Sequence, residues 1–147
     1  MIWLLRHGDA HDPEPGQSDA ERPLTEKGER QARAAGVALA RLGVEIDCCL
    51  ASPRVRARET ARLACEALGV EVEIEPVLQG GRFEPEALAA GRGSQVLLVG
   101  HEPDFSRAVR ELTGAVAQMK KGGLAGCDPG LLHVLLRPAE LRAIAGA

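Results

Sequence analysis

The chain has 147 residues, close to the commonest size of one domain, so we expect residues 1–147 to form a single domain. Its formal net charge is -3, and lysines and arginines are spread along it, which argues against a general electrostatic grip on nucleic acid or on an anionic membrane. Aromatic residues make up only 2%, which disfavours a stacking surface for single-stranded nucleic acid.

The N-terminal apolar run, Ile2 to Leu5, is too short for a signal peptide or a membrane span. The four cysteines (Cys48, Cys49, Cys65 and Cys127) lack C-x-x-C spacing, and reduced, packed thiols are the expectation. We therefore expect a cytoplasmic protein, a monomer or weak dimer.

The first strand, Ile2–Leu5, leads into Arg6-His7-Gly8, and residues 9–23 have the Asp, Glu, Pro and Gly content of a loop. Thr25 is a candidate N-cap for a helix whose apolar residues recur at helical spacing until Gly43. A second apolar run, Ile46–Ala51, leads into Ser52-Pro53, which we interpret as an N-cap followed by proline at the first helical position. That helix should end at Gly69.

Further elements follow in the same alternation. The sequence predicts an edge strand at Val70–Ile74, a short helix at Pro85–Ala90 and a buried strand at Val96–Val99. A helix over residues 104–113 follows. Two short strands then flank the Asp128-Pro129-Gly130 turn, the second of them at Leu131–Leu136. Alternating strands and helices predict a three-layer α/β/α fold with a mostly parallel central sheet.

Three polar sites in the sequence directly follow predicted strands: His7, the segment Ser52–Arg58, and His101. Ligands of such folds bind beyond the carboxyl ends of the strands. We therefore expect the three sites to meet at one edge of the sheet.

Each site has a chemical interpretation of its own. In Arg6-His7-Gly8 the glycine allows a sharp turn and a close ligand, the guanidinium suits phosphate or carboxylate, and the imidazole can act as base, metal ligand or nucleophile. A buried histidine with a satisfied hydrogen bond is the alternative. In Ser52–Arg58, three arginines occupy the positive end of a helix, a conflict that a bound anion would remove. Spacing alone does not say which arginine touches it.

Gly100-His101-Glu102-Pro103 adds a second histidine at a strand-to-helix junction. Two histidines among several arginines favour a phosphoryl pocket over a metal site, because cations would crowd the metal and no third zinc ligand has motif spacing.

The sequence resembles the histidine phosphatase (phosphoglycerate mutase-like) superfamily. The resemblance rests on four motifs in the family's order: Leu5-Arg6-His7-Gly8, the segment Leu24–Ala32, Ser52-Pro53-x-x-Arg56-Ala57-x-x-Thr60-Ala61, and Val99–Pro103. They span about two thirds of the chain. The short length, the Asp9-Ala10 pair and the Gly-His-Glu-Pro form are most similar to the branch of small bacterial phosphohistidine phosphatases (SixA-like).

The resemblance implies a phosphoglycerate mutase-like fold and a metal-independent phosphatase without a cofactor. His7 would be the nucleophile, Arg6 and Arg56 would hold the phosphoryl oxygens, and His101 would complete the pocket. Gly8, Ser52 and Glu102 join these residues as expected substrate-binding positions, and Arg54 and Arg58 are left as residues of the pocket rim.

One feature of many relatives has no match here, the Glu or Asp that protonates the leaving group. Glu75, Glu84 and Glu86 lie in roughly the right stretch, and Asp9 and Glu102 lie beside the histidines, but none is in a motif. A phosphorylated histidine needs such an acid least, since imidazole is a good leaving group. The expected substrate is therefore phosphohistidine in a protein.

Two alternatives stay open. The first is a phosphatase of small phosphorylated metabolites, such as sugar or nucleotide phosphates. The second is a phosphate-binding module without turnover, which the retention of both histidines and of Arg6 and Arg56 disfavours. A mutase is less expected, because the chain is too short for the insertions that shield the transferred phosphate.

Overall fold

The structure, a computed structural model, describes all 147 residues in six strands and five α-helices. The strands are β1 (Ile2–Arg6), β2 (Cys48–Ala51), β3 (Val72–Ile74), β4 (Val96–Gly100), β5 (Leu124–Asp128) and β6 (Leu131–Leu136). The helices are α1 (Glu26–Arg41), α2 (Val55–Leu68), α3 (Pro85–Ala89), α4 (Asp104–Thr113) and α5 (Pro138–Ala145). Two short 3-10 turns lie at Asp19–Glu21 and Pro76–Gln79.

The strands form one sheet in the order β3-β2-β4-β1-β5-β6. β1, β2, β3 and β4 are mutually parallel, and β5 is antiparallel to both of its neighbours, β1 and β6. The last residues of β1 and β2 align with the end of β4, since Arg6 pairs with Gly100 and Ala51 with Val99. The predicted mostly parallel sheet is confirmed, and three adjacent strands end at the same edge.

Successive side chains along each strand point to opposite faces of the sheet, so the sheet has a hydrophobic core on each face. Trp3 and Leu5 face one side, where they pack with α1, α2 and α5. Ile2 and Leu4 face the other, against α4 and the segment that carries Leu78 and Phe83. The fold is therefore the three-layer α/β/α arrangement that the sequence predicts.

Most element boundaries agree with the sequence. Thr25 is the N-cap of α1, its hydroxyl accepting the amide hydrogen of Gly28 at 3.0 Å. The prediction that Ser52 caps α2 is wrong, because that helix begins at Val55 with Arg54 at its N-cap. Ser52 instead lies in a turn in which its hydroxyl accepts the Arg54 amide hydrogen at 3.2 Å, and Pro53 precedes the helix.

Helix α5 has no counterpart in the sequence-based prediction. It has only eight residues, and its buried side chains are Leu141 and Ala145, four positions apart. Pro138 occupies its first turn, and the Glu140 carboxylate accepts hydrogen bonds from the amide of Arg137 at 3.2 Å and from its Nε at 2.9 Å. The helix stays in place by packing Leu141 into the core beside α1.

The four cysteines are free thiols, and three of them, Cys49, Cys65 and Cys127, are buried. No group of three or more His, Cys, Asp or Glu side chains comes together in a way that could hold a metal ion. Among the helices, none has both the length and the apolar character that crossing a bilayer requires.

Candidate active site

The two predicted histidines meet at the shared edge of β1, β4 and β2. His7 follows β1 and donates its amide hydrogen to the Gly100 carbonyl at 3.0 Å, while Ser52 follows β2 and does the same to the Val99 carbonyl at 3.0 Å. The imidazole rings of His7 and His101 lie 5.3 Å apart between centroids and are tilted by 54°. The expected convergence of three strand ends is what the structure has.

The His7 ring is oriented by its own neighbour. Its Nδ1 lies 2.7 Å from the Gly8 carbonyl oxygen. A carbonyl oxygen can only accept, so Nδ1 donates and Nε2 keeps its lone pair. His7 is only 6% exposed, so it is buried although it lies at the end of a strand.

This burial determines the charge of His7. Burial first, and then the cations Arg56, Arg6 and Lys121, lower the pKa of His7 to about 4 despite the opposing bond to Gly8. The ring is therefore neutral at pH 7. A neutral imidazole with a free Nε2 lone pair is the nucleophilic form.

Gly8 serves the position of His7 as well. Its amide hydrogen goes to the Thr60 hydroxyl at 3.0 Å, and that hydroxyl donates to the Arg56 carbonyl at 2.7 Å. A Cβ at Gly8 would lie 2.6 Å from the Gly28 carbonyl oxygen. Glycine at this position was expected to admit a ligand, whereas the backbone of α1 is what approaches Gly8. Thr60 was missed as a site residue, although it stands in the motif that starts at Ser52.

His101 is held by Ser52. Its Nε2 lies 2.7 Å from the Ser52 hydroxyl oxygen, which also takes the Arg54 amide hydrogen. His101 Nε2 is the only acceptor within reach of the buried Ser52 hydroxyl hydrogen, so the hydroxyl donates to Nε2 and the ring hydrogen of His101 is on Nδ1. Ser52 is fully buried, so its direct contact is with His101.

The His101 ring is also neutral. Burial first, and then His7 and Arg56, lower the pKa of His101 to about 3. It therefore acts as a hydrogen-bond donor through Nδ1 and not as a cation.

Arg56 is positioned by a residue that sequence reasoning missed. Arg56 is 7% exposed; its Nη1 donates to the Asp19 carbonyl at 2.8 Å and its Nη2 to the Asp19 carboxylate at 3.0 Å. Arg54 donates to the same carboxylate at 2.5 Å. Arg58 is exposed and has no such partner, so among the three arginines of this segment only Arg56 is buried in the site.

Arg6 is held from the other side. Its Nη1 donates to the Met119 carbonyl at 2.8 Å, in the segment that precedes β5. Arg6, Glu102, Met119 and Lys120 line one depression. The Glu102 carboxylate accepts the Ser106 amide hydrogen at 2.7 Å and also the Ser106 hydroxyl, so it is committed to the first turn of α4.

Only three buried side-chain nitrogen or oxygen atoms in the whole chain lack a hydrogen-bond partner: Arg6 Nε, Arg56 Nε and His101 Nδ1. All three are donors, and all three belong to residues predicted to hold a phosphoryl group. Buried polar atoms without partners are costly and therefore rare. An anion with several acceptor oxygens is the ligand that satisfies such a set.

The carboxyl groups Glu84, Asp9 and Asp19 are engaged in contacts with other residues. Glu84 pairs with Arg82 at 3.1 Å on the surface, and Asp9 accepts the Thr25 hydroxyl hydrogen at 2.8 Å. Asp19 is the carboxylate in contact with the pocket. Burial would raise the pKa of Asp19, but hydrogen bonds from Arg22 and Arg56 outweigh that effect and lower it. Asp19 is therefore an ionised acceptor that orients Arg56.

Fold and site together define the class of protein: an α/β protein that presents a neutral, nucleophilic imidazole beside an anion pocket of two arginines and a second histidine. Comparison with known proteins agrees with this class. Residues 2–86 match the model of the histidine phosphatase superfamily, branch 1. An uncharacterized protein of Picosynechococcus is 33% identical over 90% of this chain and 87% of its own length. The chain belongs to the histidine phosphatase superfamily.

Similarity to a solved structure identifies the branch of the superfamily to which the chain belongs. The protein histidine phosphatase SixA, complexed with tungstate, superposes with a TM-score of 0.81 at 25% identity, covering 95% of this chain and 98% of that one. The mitochondrial serine/threonine-protein phosphatase Pgam5 of Drosophila ananassae is 36% identical over 58% of this chain, but the match spans only 34% of that longer protein. The chain is a phosphatase of the SixA-like branch.

Proposed function

We propose that the protein is a metal-independent phosphatase that forms a phosphohistidine intermediate on His7 and removes phosphoryl groups from phosphohistidine in proteins. The observation that carries the proposal is the set of three unpartnered buried donors, Arg6 Nε, Arg56 Nε and His101 Nδ1. A phosphoryl group has three equatorial oxygens whose charge must be neutralised during transfer, and these donors can do so without a metal ion.

The first chemical step uses the free lone pair of His7. Nε2 attacks phosphorus, a P–N bond to His7 forms, and the P–N bond to the substrate imidazole breaks. The departing imidazole keeps the electron pair of that bond. The hydrogen bond from His7 Nδ1 to the Gly8 carbonyl, 2.7 Å long, stabilises the positive charge that develops on the phosphorylated ring.

In the second step the His7 imidazole is the leaving group and water is the nucleophile. Water attacks phosphorus, the P–N bond to His7 breaks, inorganic phosphate leaves, and the ring recovers its lone pair. Neither step requires a strong general acid when the leaving group is an imidazole. This matches a site in which the Asp19 carboxylate is paired with Arg54 at 2.5 Å and with Arg56 at 3.0 Å.

A leaving-group series tests the substrate class. A positioned acid contributes about 10²–10⁴-fold, and most for poor leaving groups. We therefore expect a phosphohistidine peptide and aryl phosphates to be hydrolysed readily, alkyl phosphates such as sugar phosphates slowly, and kcat/KM to fall steeply with leaving-group pKa. A flat dependence would favour a phosphatase of small metabolites instead.

The same assay tests the nucleophile and the absence of a metal. His7→Ala should abolish turnover and the acid-labile phosphoenzyme that mass spectrometry detects after a rapid quench, while the circular dichroism spectrum stays that of the wild type. EDTA should leave the rate unchanged, and tungstate or vanadate should inhibit. Loss of activity in EDTA that a divalent metal restores would contradict the metal-independent mechanism.

A further inference from the structure

A strip of surface cations leads away from the phosphoryl pocket. Three adjoining depressions share lining residues. The first is the one that Glu102 and Met119 line, and it shares Arg6 and Lys120 with the second. The second shares Lys27, Gln31 and Pro138 with the third. The third also contains Arg30 and Arg142. We call this continuous depression the basic groove. It runs from Arg6 along the exposed side of α1 to the start of α5.

The charge of the basic groove is unusual for this chain. The chain has only three lysines, Lys27, Lys120 and Lys121, and all three line the groove. In the second and third depressions Asp9 is the only carboxylate, and its one ion pair with a groove cation is a 3.7 Å contact with Lys121.

Elsewhere on the surface, unpaired cations are scattered and many of the other cations are paired with carboxylates. Among the other exposed arginines, Arg62, Arg82 and Arg137 have a carboxylate within 3.5 Å. The exposed arginines without an ion pair outside the groove, Arg41, Arg58 and Arg110, lie on three different helices and form no row. Lys27, Arg30, Lys120 and Arg142 have no ion pair. A protein of net charge -3 therefore keeps a row of uncompensated positive charge beside its active site. Such a row attracts an anionic partner and raises its association rate.

We infer that the basic groove binds an acidic segment of the phosphorylated protein, next to the residue whose phosphoryl group enters the His7 pocket. This inference rests on the proposed function and names the class of substrate that it prefers. The length of the groove favours a peptide over a small molecule: Lys27 to Ala34 on α1 spans about 10 Å at 1.5 Å per residue. That distance takes about three residues of extended chain.

The test compares two phosphohistidine peptides of equal length. One carries Asp and Glu at three to five residues from the phosphohistidine, and the other carries Asn and Gln there. At low salt we expect wild type to prefer the acidic peptide in kcat/KM by roughly 10-fold, and added salt to reduce the preference.

The variant Arg30→Gln/Arg142→Gln should lose most of that preference. It should hydrolyse para-nitrophenyl phosphate like wild type, because neither arginine lines the depression that contains Arg6. Arg107→Gln/Arg110→Gln is the matched control, since it removes the same charge from α4 on the opposite face of the sheet. It should keep the preference.

Equal kcat/KM for the two peptides in wild type, or equal losses in the two double variants, would overturn the inference. Both results leave the phosphatase proposal intact, because hydrolysis of the aryl phosphate by wild type is measured separately. Failure of wild type on both the aryl phosphate and the peptides would instead refute the proposed function.

Discussion

Arg56 differs from its neighbours Arg54 and Arg58 in burial, and activity should reflect this difference. Arg56→Ala removes the Nε donor, which has no hydrogen-bond partner within the protein. The loss of a charge-assisted phosphate contact costs on the order of 2–4 kcal/mol in the transition state, or roughly 30- to 1000-fold in kcat/KM. Arg58→Ala should cost little, because its side chain is exposed. The measurement is kcat/KM with an aryl phosphate.

Arg54→Ala provides the control, since Arg54 shares the Asp19 carboxylate with Arg56 but lies at the rim. We expect an intermediate loss from a less well oriented Arg56. Equal losses at all three positions would contradict the assignment of the phosphate contact to Arg56.

Ser52 should control the tautomer of His101. In wild type we expect the ring hydrogen of His101 on Nδ1, because the Ser52 hydroxyl lies 2.7 Å from Nε2. Ser52→Ala removes this constraint and lets the ring adopt the tautomer that presents a lone pair to the phosphoryl oxygen. We expect kcat to fall about 10- to 100-fold, with a smaller change in KM. Nitrogen-15 NMR of the imidazole reports the tautomer directly.

A purely structural role of Ser52 would give another pattern. Ser52→Ala would then lower the melting temperature while the imidazole nitrogen shifts of His101 stayed those of wild type. An Nε2-protonated His101 in wild type would also contradict the tautomer assignment.

At the scale of elements, the close crossing of α1 over the end of β1 fixes the position of His7. A Cβ at Gly28 would lie 2.0 Å from the Asp9 carbonyl oxygen, which is backbone and cannot rotate away. Gly28→Ala should therefore push α1 from β1, at a cost of about 1–3 kcal/mol in the free energy of unfolding. Because Gly8 packs on the same turn, kcat should fall too. Urea denaturation and the aryl phosphate assay measure the two effects.

Gly80→Ala is the matched control, because no atom lies within 4 Å of its added Cβ and its φ of 161° is extended backbone. It should change neither stability nor kcat by much. Wild-type stability and activity in Gly28→Ala would show that α1 can shift without disturbing the site.

Sequence reasoning succeeded for elements with strong local signals and failed where a tertiary partner overrides them. Thr25 caps α1 as predicted, since nothing competes for its first-turn hydrogen bond to Gly28. Ser52-Pro53 has an equally good capping signal, but the Ser52 hydroxyl is used on His101, and α2 begins two residues after Pro53. Helix α5 was missed because two buried residues over two turns make too short a periodic pattern.

The candidate site shows the same division. His7, Arg6, Arg56 and His101 stand in motifs at strand ends, so the parallel sheet brings them together. Asp19 and Met119 hold the two arginines from loops far away in sequence, and Met119 does so through its backbone carbonyl. A backbone contact leaves no trace in residue type, and one aspartate among several in residues 9–23 has no distinguishing spacing.

At the scale of the whole molecule, the sheet and the two cores keep a pair of neutral imidazoles away from water. Both rings are 6% exposed, and the strands that carry them are fully or almost fully buried. Burial keeps His7 in its neutral, nucleophilic form, and it also makes protonation of His7 and His101 unfavourable in the folded state. The resulting linkage of stability to pH is a property of the fold as well as of the site.

We predict that the free energy of unfolding falls as pH is lowered from about 6.5 towards 4, more steeply than in a chain without these histidines. The pKa of His7 is lowered to about 4 and that of His101 to about 3 in the folded state, whereas an unfolded histidine titrates near its ordinary value of 6.5. Between these values the unfolded chain binds more protons than the folded one, so acidification favours unfolding. The expected loss is on the order of 5 kcal/mol between pH 7 and pH 4.5, about half of it from each histidine.

The measurement is urea denaturation in phosphate-free buffer at pH 7, 6, 5 and 4.5, for wild type and for His7→Asn/His101→Asn. Phosphate must be absent because it would bind the folded state and stabilise it. The variant has no imidazole to protonate at the site, so its free energy of unfolding should change less with pH, whatever its absolute stability. The slope is therefore the informative quantity. Parallel slopes in the two proteins would mean that the buried histidines are protonated at the same pH folded and unfolded, and His7 would then lose its nucleophilic form in mildly acidic solution.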